Sequence, residues 1–574
     1  MQQSVLSAIP GRIAMQPAER GATAPGRRAA PDWTVIAPAA VTLAVMLWGI
    51  TAPAYWGDEA DTVSAESRSL PQLVRLLGHV DAVHGLYYLL MWPVVRVAGP
   101  GEFATRLPSA VAMAAAAAGI AAIGRRLASR RTGLCAGLVF AAMPVIGEQG
   151  HNARPYAMVT AAAVAASWLL VRLAGDPRWR WFVAYGGMLA VLGYLELDAL
   201  LLVGAHAVAL RQLAQADDPH TRRGTTRRWT AVAFGAALAV APLVVFGWAQ
   251  RGQISWIHRP GWADAGAMLA SLGGGPPALA ATLWALAAIG CATALAAARG
   301  RRGAGGWRLA RLALPWLALP PTAMLVISQA MPVYNFRYVE FCVPALALLA
   351  GLGLAALGRV WRAGAAILLL ALAVPAQLAM RVPGTGLRQA ASILAAAGRP
   401  GDAIVYPGTD IPPWYLAYPA GFARLDNIGM ARSPAVSGRL YGVSVPLDLL
   451  KQREQHARRI WVVEMESWQD PARYLSSGFR LRHAWQLDHG RLRIWLYQRE
   501  PLATPAGSAA RSGSAVGQGS GEPEAGQDAG VEAGHGADPV CDALCGRSRS
   551  RSSLLPSAAP HHRHRREGIR GGHA

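Results

Sequence analysis

Charged residues are scarce in this 574-residue chain: they make up 15% of it, whereas hydrophobic residues make up 53%. A soluble globular protein carries roughly 25% charged residues, so the composition argues against an ordinary cytosolic enzyme. Lysine is almost absent, because Lys451 is the single one, and the formal net charge of +22 therefore comes from arginine. The arginines form short clusters between apolar runs instead of a basic face with aromatic residues, which argues against nucleic-acid binding.

Cysteine is also rare, and the five cysteines do not form a disulfide framework. Three of them lie in apolar stretches where a buried, inert thiol is expected, namely Cys135, Cys291 and Cys342. Cys541 and Cys545 precede a histidine-rich run, His561 to His564, that could bind a metal ion. The surrounding residues are rich in Gly, Ala, Ser and Pro without periodicity, so nothing there would fix a coordination geometry. We therefore predict a disordered tail over 501–574.

Long apolar runs are abundant, and a run of about 17 to 25 residues is enough to cross a membrane as a helix. Eleven runs have this length, or a little less where a run is broken near one end, at 33–52, 104–124, 133–147, 155–174, 181–194, 199–213, 229–248, 276–298, 312–328, 338–358 and 363–380. A twelfth run, 85–98, is short and contains Pro93 and Arg96. The sequence thus predicts a polytopic α-helical membrane protein.

Arginine clusters predict the orientation, because short cytoplasmic loops collect arginine and lysine. The basic arm 1–32 and the loop 125–131 should both lie inside, so an even number of spans must separate them. Segments 33–52 and 104–124 supply two, which leaves 85–98 in the membrane interface. The same parity along the chain predicts eleven spans in the plasma membrane, with the N-terminus cytoplasmic and the C-terminal region outside. No N-terminal signal peptide is apparent.

After Met380 the composition becomes that of a soluble domain. We predict a helix over 387–398, strands over 403–406 and 460–463, and a strand pair over 479–498 that turns at Asp488-His489-Gly490. The predicted organisation is a cytoplasmic arm (1–32), a transmembrane domain (33–380), a small exoplasmic α/β domain (381–500) and the tail (501–574).

Ionisable residues are nearly absent from the helix centres and collect in the segments predicted to lie outside. The longest outer loop before the terminal domain, 53–103, carries Asp58 and Glu59 directly after the first span. A carboxylate at the membrane surface is suited to act as a general base on an acceptor hydroxyl. The spacing leaves an alternative open, in which Asp58 or Glu59 only caps a helix that starts near Ala60.

Five motifs follow one another along the chain: W-x-D-E-A-x-T from Trp56, D-x-x-H-x-L-Y-Y from Asp81, G-E-F-x-x-R-L-P-S from Gly101, A-R-P-Y-A from Ala153 and N-F-R-Y-V-E-F-C-V-P from Asn335. In this order they resemble bacterial family-39-type glycosyltransferases of the GT-C superfamily, alongside protein O-mannosyltransferases and the aminoarabinose transferase of lipid A. The resemblance covers about residues 33–500. It implies a GT-C-type protein with about eleven transmembrane helices, an interfacial helix in the first loop and a small exoplasmic domain.

The resemblance also implies a mechanism. An acceptor hydroxyl attacks the anomeric carbon of a polyprenyl-phosphate-linked sugar, most simply mannose, and the phosphate leaves with inversion. Asp58 matches the family's catalytic aspartate, and Glu59 matches the neighbouring glutamate, for which we expect a positioning role. The leaving phosphate needs cationic donors, and Arg154 and Arg337 are the candidates by position.

Other residues of the motifs are candidates for substrate binding. Arg106 matches a family arginine that either contacts substrate or holds the first loop by pairing with a carboxylate. The alternative for each arginine is an interface anchor that reaches the lipid headgroups, and Tyr87 has the alternative of an interfacial aromatic. The remaining candidates are Asp81, His84, Tyr156 and Tyr338.

Two departures from the family are visible. Many relatives have His-Pro-Pro where this chain has His84-Gly85. The turn from Tyr194 to Asp198 reads Y-L-E-L-D, where relatives often carry Thr-His after the tyrosine, so no role is assigned to it.

Competing functions remain open at this point. The first is a polyprenyl-phosphate-dependent glycosyltransferase that acts on a hydroxyl of a protein or a cell-envelope glycan. A transporter or lipid flippase is the alternative, although it usually places ionisable groups at mid-membrane. A third is a receptor-like protein whose outer domain binds a glycan. No cofactor is implied; a divalent cation held by Asp58 and Glu59 is left open, although adjacent residues seldom supply two ligands from one side.

Overall fold

The computed structural model describes residues 32–213, 219–300, 305–382, 386–408, 410–465, 474–488 and 491–500. The predicted tail with Cys541, Cys545 and His561 to His564, and almost all of the predicted N-terminal arm, lie outside these residues. So do His489 and Gly490 of the predicted turn.

A helical bundle makes up the larger part of the described chain. Its helices are α1 (Trp33–Leu47), α2 (Gly57–Glu66), α3 (Leu70–Leu77), α4 (Gly85–Ala98), α5 (Glu102–Leu127), α6 (Arg130–Ala142), α7 (Pro144–Gly150), α8 (Tyr156–Gly175), α9 (Trp179–Leu195), α10 (Leu202–Leu213), α11 (Pro219–Ala249), α12 (Trp262–Leu272), α13 (Pro277–Arg299), α14 (Gly305–Ala330), α15 (Val343–Ala356) and α16 (Arg359–Ala379). Short 3-10 helices precede α4, α10 and α15, at Ala82–His84, Leu197–Leu201 and Phe336–Cys342.

Every one of the eleven predicted spans contains a helix. Seven helical segments among the described residues are long and apolar enough to cross a membrane, or eight when α6 and α7, which meet at 66°, form one bent span. The bend falls at Met143-Pro144, because proline lacks the N–H that a continuous helix would need. The other three predicted spans are the shorter helices α1, α9 and α10, with 15, 17 and 12 residues. The predicted α-helical membrane fold is thereby confirmed.

The short run 85–98, predicted to lie in the interface, is the 14-residue helix α4. It lies in contact with α2 and α5. Its position in the membrane interface and the inside or outside location of the termini stay predictions.

Small residues let the central helices approach closely. A Cβ added to Gly353 of α15 would lie 1.9 Å from the carbonyl oxygen of Leu286 in α13, and one added to Gly351 would lie 2.4 Å from the Cα of Ala136 in α6. Only glycine fits at such backbone contacts, which are typical of helix packing in membranes. Helix α15 therefore packs with its backbone directly against α13 and α6.

The residues after α16 form a small α/β part. A five-stranded sheet has the order β3-β1-β6-β8-β7, in which β1 is parallel to β3 and β6, and β8 is antiparallel to β6 and β7. A three-stranded antiparallel sheet has the order β2-β5-β4. The strands are β1 (Asp402–Val405), β2 (Asp410–Ile411), β3 (Leu425–Asn427), β4 (Met430–Arg432), β5 (Gly442–Ser444), β6 (Arg459–Met465), β7 (Phe479–Leu487) and β8 (Leu492–Arg499).

Five short helices accompany the sheets, at α17 (Leu387–Ala397), α18 (Trp414–Ala417), α19 (Pro419–Phe422), α20 (Pro434–Ser437) and α21 (Leu447–Arg453). Leu387, Ala390 and Leu394 of α17 are buried in one apolar cluster with Ile404 of β1 and Trp461 of β6. This i, i+3, i+7 spacing is that of a helix with one apolar face, and the predicted helix and strands lie where their patterns place them.

The α/β part is anchored on the first loop of the bundle. The backbone N–H of Tyr55 donates a hydrogen bond to the Tyr418 hydroxyl at 2.8 Å, and Arg388 forms an ion pair with Glu102. Tyr55 and Ala60 belong to the same buried cluster as Leu387 and Trp461. The α/β part is thus continuous with the segment that carries Asp58.

Candidate active site

Connections between bundle helices converge on a cavity of about 630 Å³. Its walls come from α2, from the segment before α4, from the start of α8, from the turn after α9, from the end of α11 and from the segment between α14 and α15. The ionisable residues that line it are Asp58, Asp61, Asp81, His84, Arg154, Glu196, Asp198, Arg251 and Arg337, together with the phenols Tyr156, Tyr338 and Tyr441.

Seven of the ten residues predicted from the sequence line this cavity: Asp58, Asp81, His84, Arg154, Tyr156, Arg337 and Tyr338. Glu59, Tyr87 and Arg106 are not among its lining residues. The motifs that carry the seven are far apart in the chain, so the fold assembles them in one place.

Glu59 and Arg106 form a buried ion pair behind the cavity wall, and each side chain is 1% exposed. Arg106 donates from Nη2 to Glu59 Oε2 at 2.7 Å and from Nε to Oε1 at 2.8 Å. Its Nη1 also donates to the carbonyl oxygens of Ile50 and Pro53, both at 2.9 Å. The guanidinium therefore ties α5 to the chain between α1 and α2.

The Glu59 carboxylate also accepts hydrogen bonds from backbone N–H groups. Oε1 accepts from the N–H of Ala153 at 2.8 Å, and Oε2 accepts from the N–H of Trp56 at 3.4 Å. The contact with Trp56 closes the N-terminus of α2, so the capping alternative applies to Glu59. Asp58, in the same turn, instead lines the cavity.

Trp56 and Arg337 place the N-terminus of α2 against a distant part of the chain. The Arg337 guanidinium carbon lies 4.5 Å from the centre of the Trp56 ring, a cation–π contact. Trp56 Nε1 donates to Asn152 Oδ1 at 3.2 Å. The side chain of Asn335 accepts from the Arg337 backbone N–H at 3.2 Å and begins the 3-10 helix there. Arg337 thus packs on Trp56, next to the N-terminus of the helix that carries Asp58, and none of the ion pairs among the described residues includes Arg337.

Asp81 has a left-handed backbone conformation (φ 57°), which aspartate adopts more readily than most residues. Gln253 and Gln250, which follow α11, accept the backbone N–H groups of Asp81 and Ala82 at 3.2 and 2.9 Å. The Tyr88 hydroxyl donates to Asp81 Oδ2 at 2.8 Å. Burial raises the pKa of Asp81, whereas Arg154 and Tyr88 oppose this shift.

His84 and Arg154 are in direct contact, with Nε2 of His84 3.1 Å from Nη2 of Arg154. A guanidinium only donates, so His84 accepts through an unprotonated Nε2. Burial, and next the nearby Arg154 charge, keep the pKa of His84 well below its usual value, so the ring is neutral. Arg154 keeps its charge in the cavity wall, where it interacts with Tyr156, Tyr88, Asp58 and Asp81.

The third predicted residue outside the cavity lining, Tyr87, is fully buried, and its hydroxyl has no hydrogen-bond partner among the described residues. It packs against Tyr88 with ring centres 6.1 Å apart. Its position does not favour the interfacial alternative, because the ring is shielded on all sides.

Three carboxyl groups of the cavity are not among the site residues predicted from the sequence, namely Asp61, Glu196 and Asp198. Burial, with Asp81 and Asp58 adding to it, raises the pKa of Asp61 to about 7. Burial also raises the pKa of Glu196 and of Asp198, and their proximity adds to the shift of Glu196. In the sequence, all three are carboxylates in predicted outer loops. That pattern does not distinguish them from other carboxylates in the same loops.

The α/β part contributes Leu440 and Tyr441 to the cavity. The Tyr441 hydroxyl donates to Asp61 Oδ2 at 3.1 Å, and Ser64 Oγ donates to the Leu440 carbonyl oxygen at 2.9 Å. Arg68 donates to the Arg439 carbonyl oxygen. No local pattern in the sequence indicated these residues, which are about 380 positions from their partners.

Paired acids such as Asp58 and Glu59 are potential ligands for a divalent cation. The described residues contain no group of three or more His, Cys, Asp or Glu side chains placed to hold a metal ion. Asp58 and Glu59 point to different surroundings, the cavity and Arg106, and do not form a ligand pair.

Comparisons with known proteins agree with the resemblance seen in the motifs. Residues 86–248 match the family model described as dolichyl-phosphate-mannose-protein mannosyltransferase. No curated protein sequence matches the chain significantly.

Among solved structures, the chain is similar to ArnT from Cupriavidus metallidurans. The apo structure of ArnT gives a TM-score of 0.52 at 16% identity, covering 80% of this chain and 97% of ArnT. The structure of ArnT bound to undecaprenyl phosphate gives 0.50 at 15% identity, covering 82% and 98%. At this identity the likeness shows a shared fold.

The chain therefore has the overall fold of ArnT, a polytopic α-helical membrane fold with a small C-terminal sheet part. Within that fold, residues 86–248 match the mannosyltransferase family model.

Proposed function

We propose that this protein transfers a sugar from a polyprenyl-phosphate carrier to a hydroxyl group of an acceptor, and that the reaction takes place in the 630 Å³ cavity. The observation that carries the proposal is the meeting of Asp58 with Arg154 and Arg337 in one cavity, although the three residues come from separate loops. A base and two cations are the groups that this displacement needs.

In the proposed reaction the acceptor oxygen forms a bond to the anomeric carbon while the bond from that carbon to the phosphate oxygen breaks. The acceptor proton passes to the Asp58 carboxylate, and the phosphate leaves with the electron pair. Attack from the face opposite the phosphate inverts the anomeric centre. Because the cavity holds carboxylates and arginines together, attacking and leaving groups have separate partners in it.

Arg154 and Arg337 are proposed to bind the phosphate. Both side chains line the cavity, and both have a buried Nε without a hydrogen-bond partner among the described residues. A phosphate oxygen is a suitable acceptor for such a donor. Glu59 and Arg106 are proposed as positioning residues, because their bonds hold the start of α2 and leave Asp58 facing the substrate.

Two comparisons support a polyprenyl-phosphate donor. The matching family is described by a dolichyl-phosphate-linked mannose, and ArnT has been crystallised with undecaprenyl phosphate. Mannose is the sugar proposed first, on the family description alone. The protein is proposed to act at the outer face of the plasma membrane, with its N-terminus in the cytoplasm and a protein or envelope glycan as acceptor.

The test is transfer of label from a radiolabelled polyprenyl-phosphate mannose to any acceptor in membranes that contain the full-length protein. Asp58→Asn keeps the size of the side chain and removes the base, and we expect transfer to fall at least about 100-fold. Asp448→Asn is the matched control, since it makes the same chemical change at an exposed position of α21. Undiminished transfer by Asp58→Asn would exclude Asp58 as the base, and no transfer by the wild-type protein would count against this donor.

A further inference from the structure

The turn after α9 brings two carboxyl groups into the cavity wall. Glu196 and Asp198 both line the cavity, together with Tyr156 and Tyr338. Glu196 is 7% exposed, and its Oε2 has no hydrogen-bond partner among the described residues. This oxygen is therefore a free acceptor in the wall of the cavity.

A buried carboxylate oxygen without a donor costs free energy that a bound ligand can restore. The ligand must bring O–H or N–H groups, because a carboxylate only accepts. Burial raises the pKa of both carboxyl groups, so the pair can also retain a proton and donate it to a hydroxyl oxygen. A polyhydroxylated ring, which both donates and accepts, satisfies such a pair on both counts.

The position of the turn relative to Arg154 indicates which part of a ligand it would meet. Arg154 interacts electrostatically with Asp58 and Asp81, and also with Glu196. Tyr156 likewise interacts with both Asp58 and Glu196. Arg154 is thus within electrostatic reach of Asp58 on α2 and of Glu196 in the turn after α9, and all three line the same cavity. In the carrier the sugar is bonded directly to the phosphate, so a phosphate at Arg154 places the sugar ring next to these side chains.

We infer that Glu196, together with Asp198, binds the hydroxyl groups of the donor's sugar ring and determines which sugar the protein accepts. This inference rests on the proposed function, since it assigns the sugar part of the same donor. It also gives a role to the segment where the sequence departs from the family, Y-L-E-L-D from Tyr194. Specificity is expected to differ where the residues around the sugar differ.

The experiment measures binding, so that an unidentified acceptor is not needed. The full-length protein in lipid nanodiscs is titrated with three synthetic lipids: a polyprenyl-phosphate mannose, the glucose equivalent and the methyl ester of the same polyprenyl phosphate. All three carry one negative charge, and only the first two have a sugar. The ratio of the Kd for the methyl ester to the Kd for a sugar ester isolates the contribution of the sugar.

We expect the wild-type protein to bind one sugar ester at least about tenfold more tightly than the methyl ester, the change expected for a hydrogen bond to a charged group. Glu196→Gln should lower that ratio to near one and reduce the discrimination between the two sugars. Its affinity for the methyl ester should change less than about twofold, which also shows that the variant is folded. The matched control Asp448→Asn should behave as the wild-type protein does.

The outcomes separate the inference from the proposed function. A wild-type ratio near one for both sugars, or an unchanged ratio in Glu196→Gln, overturns the inference while phosphate-lipid binding persists. Failure of the wild-type protein to bind any of the three lipids overturns the proposed donor, and the inference with it.

Discussion

The Glu59 carboxylate is predicted to stabilise the protein and to position Asp58. The substitution Glu59→Gln distinguishes this structural role from direct participation in the reaction. The change keeps the size of the side chain and removes its charge. It leaves the Arg106 guanidinium at a position that is 1% exposed, without the anion it meets at 2.7 Å. One amide hydrogen of the new glutamine would also face the Arg106 donors, so at least one of the two bonds is lost.

The expected magnitude follows from the burial of the pair. Removing one partner of a buried ion pair costs about 3–5 kcal/mol, because the other charge remains buried and uncompensated. Arg106 keeps its bonds to the carbonyl oxygens of Ile50 and Pro53, and these partly stabilise the charge. We therefore expect a loss near the lower end, about 3 kcal/mol of the free energy of unfolding.

The assay compares two properties of three proteins: the wild type, Glu59→Gln and Asp58→Asn. The free energy of unfolding is measured in mixed micelles with increasing SDS, and sugar transfer is measured in membranes. Asp58→Asn should lose transfer and keep more of its stability than Glu59→Gln, because Asp58 is in none of the ion pairs among the described residues. Glu59→Gln should lower the free energy of unfolding. Its rate of sugar transfer should fall only to the extent that Asp58 is displaced.

A different result would refute this reasoning. If Glu59→Gln kept wild-type stability and lost transfer as deeply as Asp58→Asn, Glu59 would take part in the reaction itself. Arg106→Lys gives an independent check, because it keeps the charge and removes the planar fork that binds both carboxylate oxygens. It should lower the free energy of unfolding by about 1–2 kcal/mol, which is less than the loss expected for Glu59→Gln.

Further predictions concern other contacts of the cavity and the bundle. Burial raises the pKa of Asp61 to about 7, so the folded state binds more protons than the unfolded state above about pH 4. The free energy of unfolding should therefore fall as the pH rises from about 4 to 7. In SDS titrations, Asp61→Asn should flatten this part of the plot of stability against pH. Arg337→Lys should lose the stacking on Trp56 at 4.5 Å, and the Kd for polyprenyl phosphate should rise about tenfold in nanodisc binding, a rise that an unchanged Kd would disprove. His206→Phe removes the partner of the buried Tyr185 and Ser167 hydroxyls at 2.9 and 3.0 Å; it should cost about 1–3 kcal/mol of stability and leave lipid binding unchanged, since His206 is not a lining residue of the cavity.

The eleven predicted spans could be located because a helix that crosses a membrane must be apolar along its length. The lengths of α1 and α7 could not, since turn residues and the Met143-Pro144 break end helices inside runs of uniform hydropathy. The meeting of seven predicted residues in one cavity was anticipated by the motifs. The contribution of Tyr441 was not, because its contact with Asp61 joins residues 380 positions apart and leaves no periodic signal between them.

Asp58 and Glu59 show why spacing alone could not assign a base. Successive residues of an α-helix point about 100° apart, so two adjacent acids at a helix N-terminus enter different surroundings. Glu59 points toward Arg106 and accepts its hydrogen bonds, whereas Asp58 lines the cavity. Spacing treats both acids equally, whereas the position of Arg106 in α5 gives them different surroundings.

The first turns of α2 are held from several directions, and this bears on how the proposed base could work. Glu59 is bonded to Arg106, Trp56 is bonded to Asn152 and stacked by Arg337, and Asp61 receives the Tyr441 hydroxyl. These contacts come from α5, from the segment before α8, from the segment before α15 and from the α/β part. A base must lie within hydrogen-bond reach of the proton it accepts, and a misplacement of about 1 Å can cost 100-fold in rate. Because four separate segments fix the start of α2, the position of Asp58 depends on the whole assembly, and changes in the α/β part at Tyr441 should reach the reaction through Asp61.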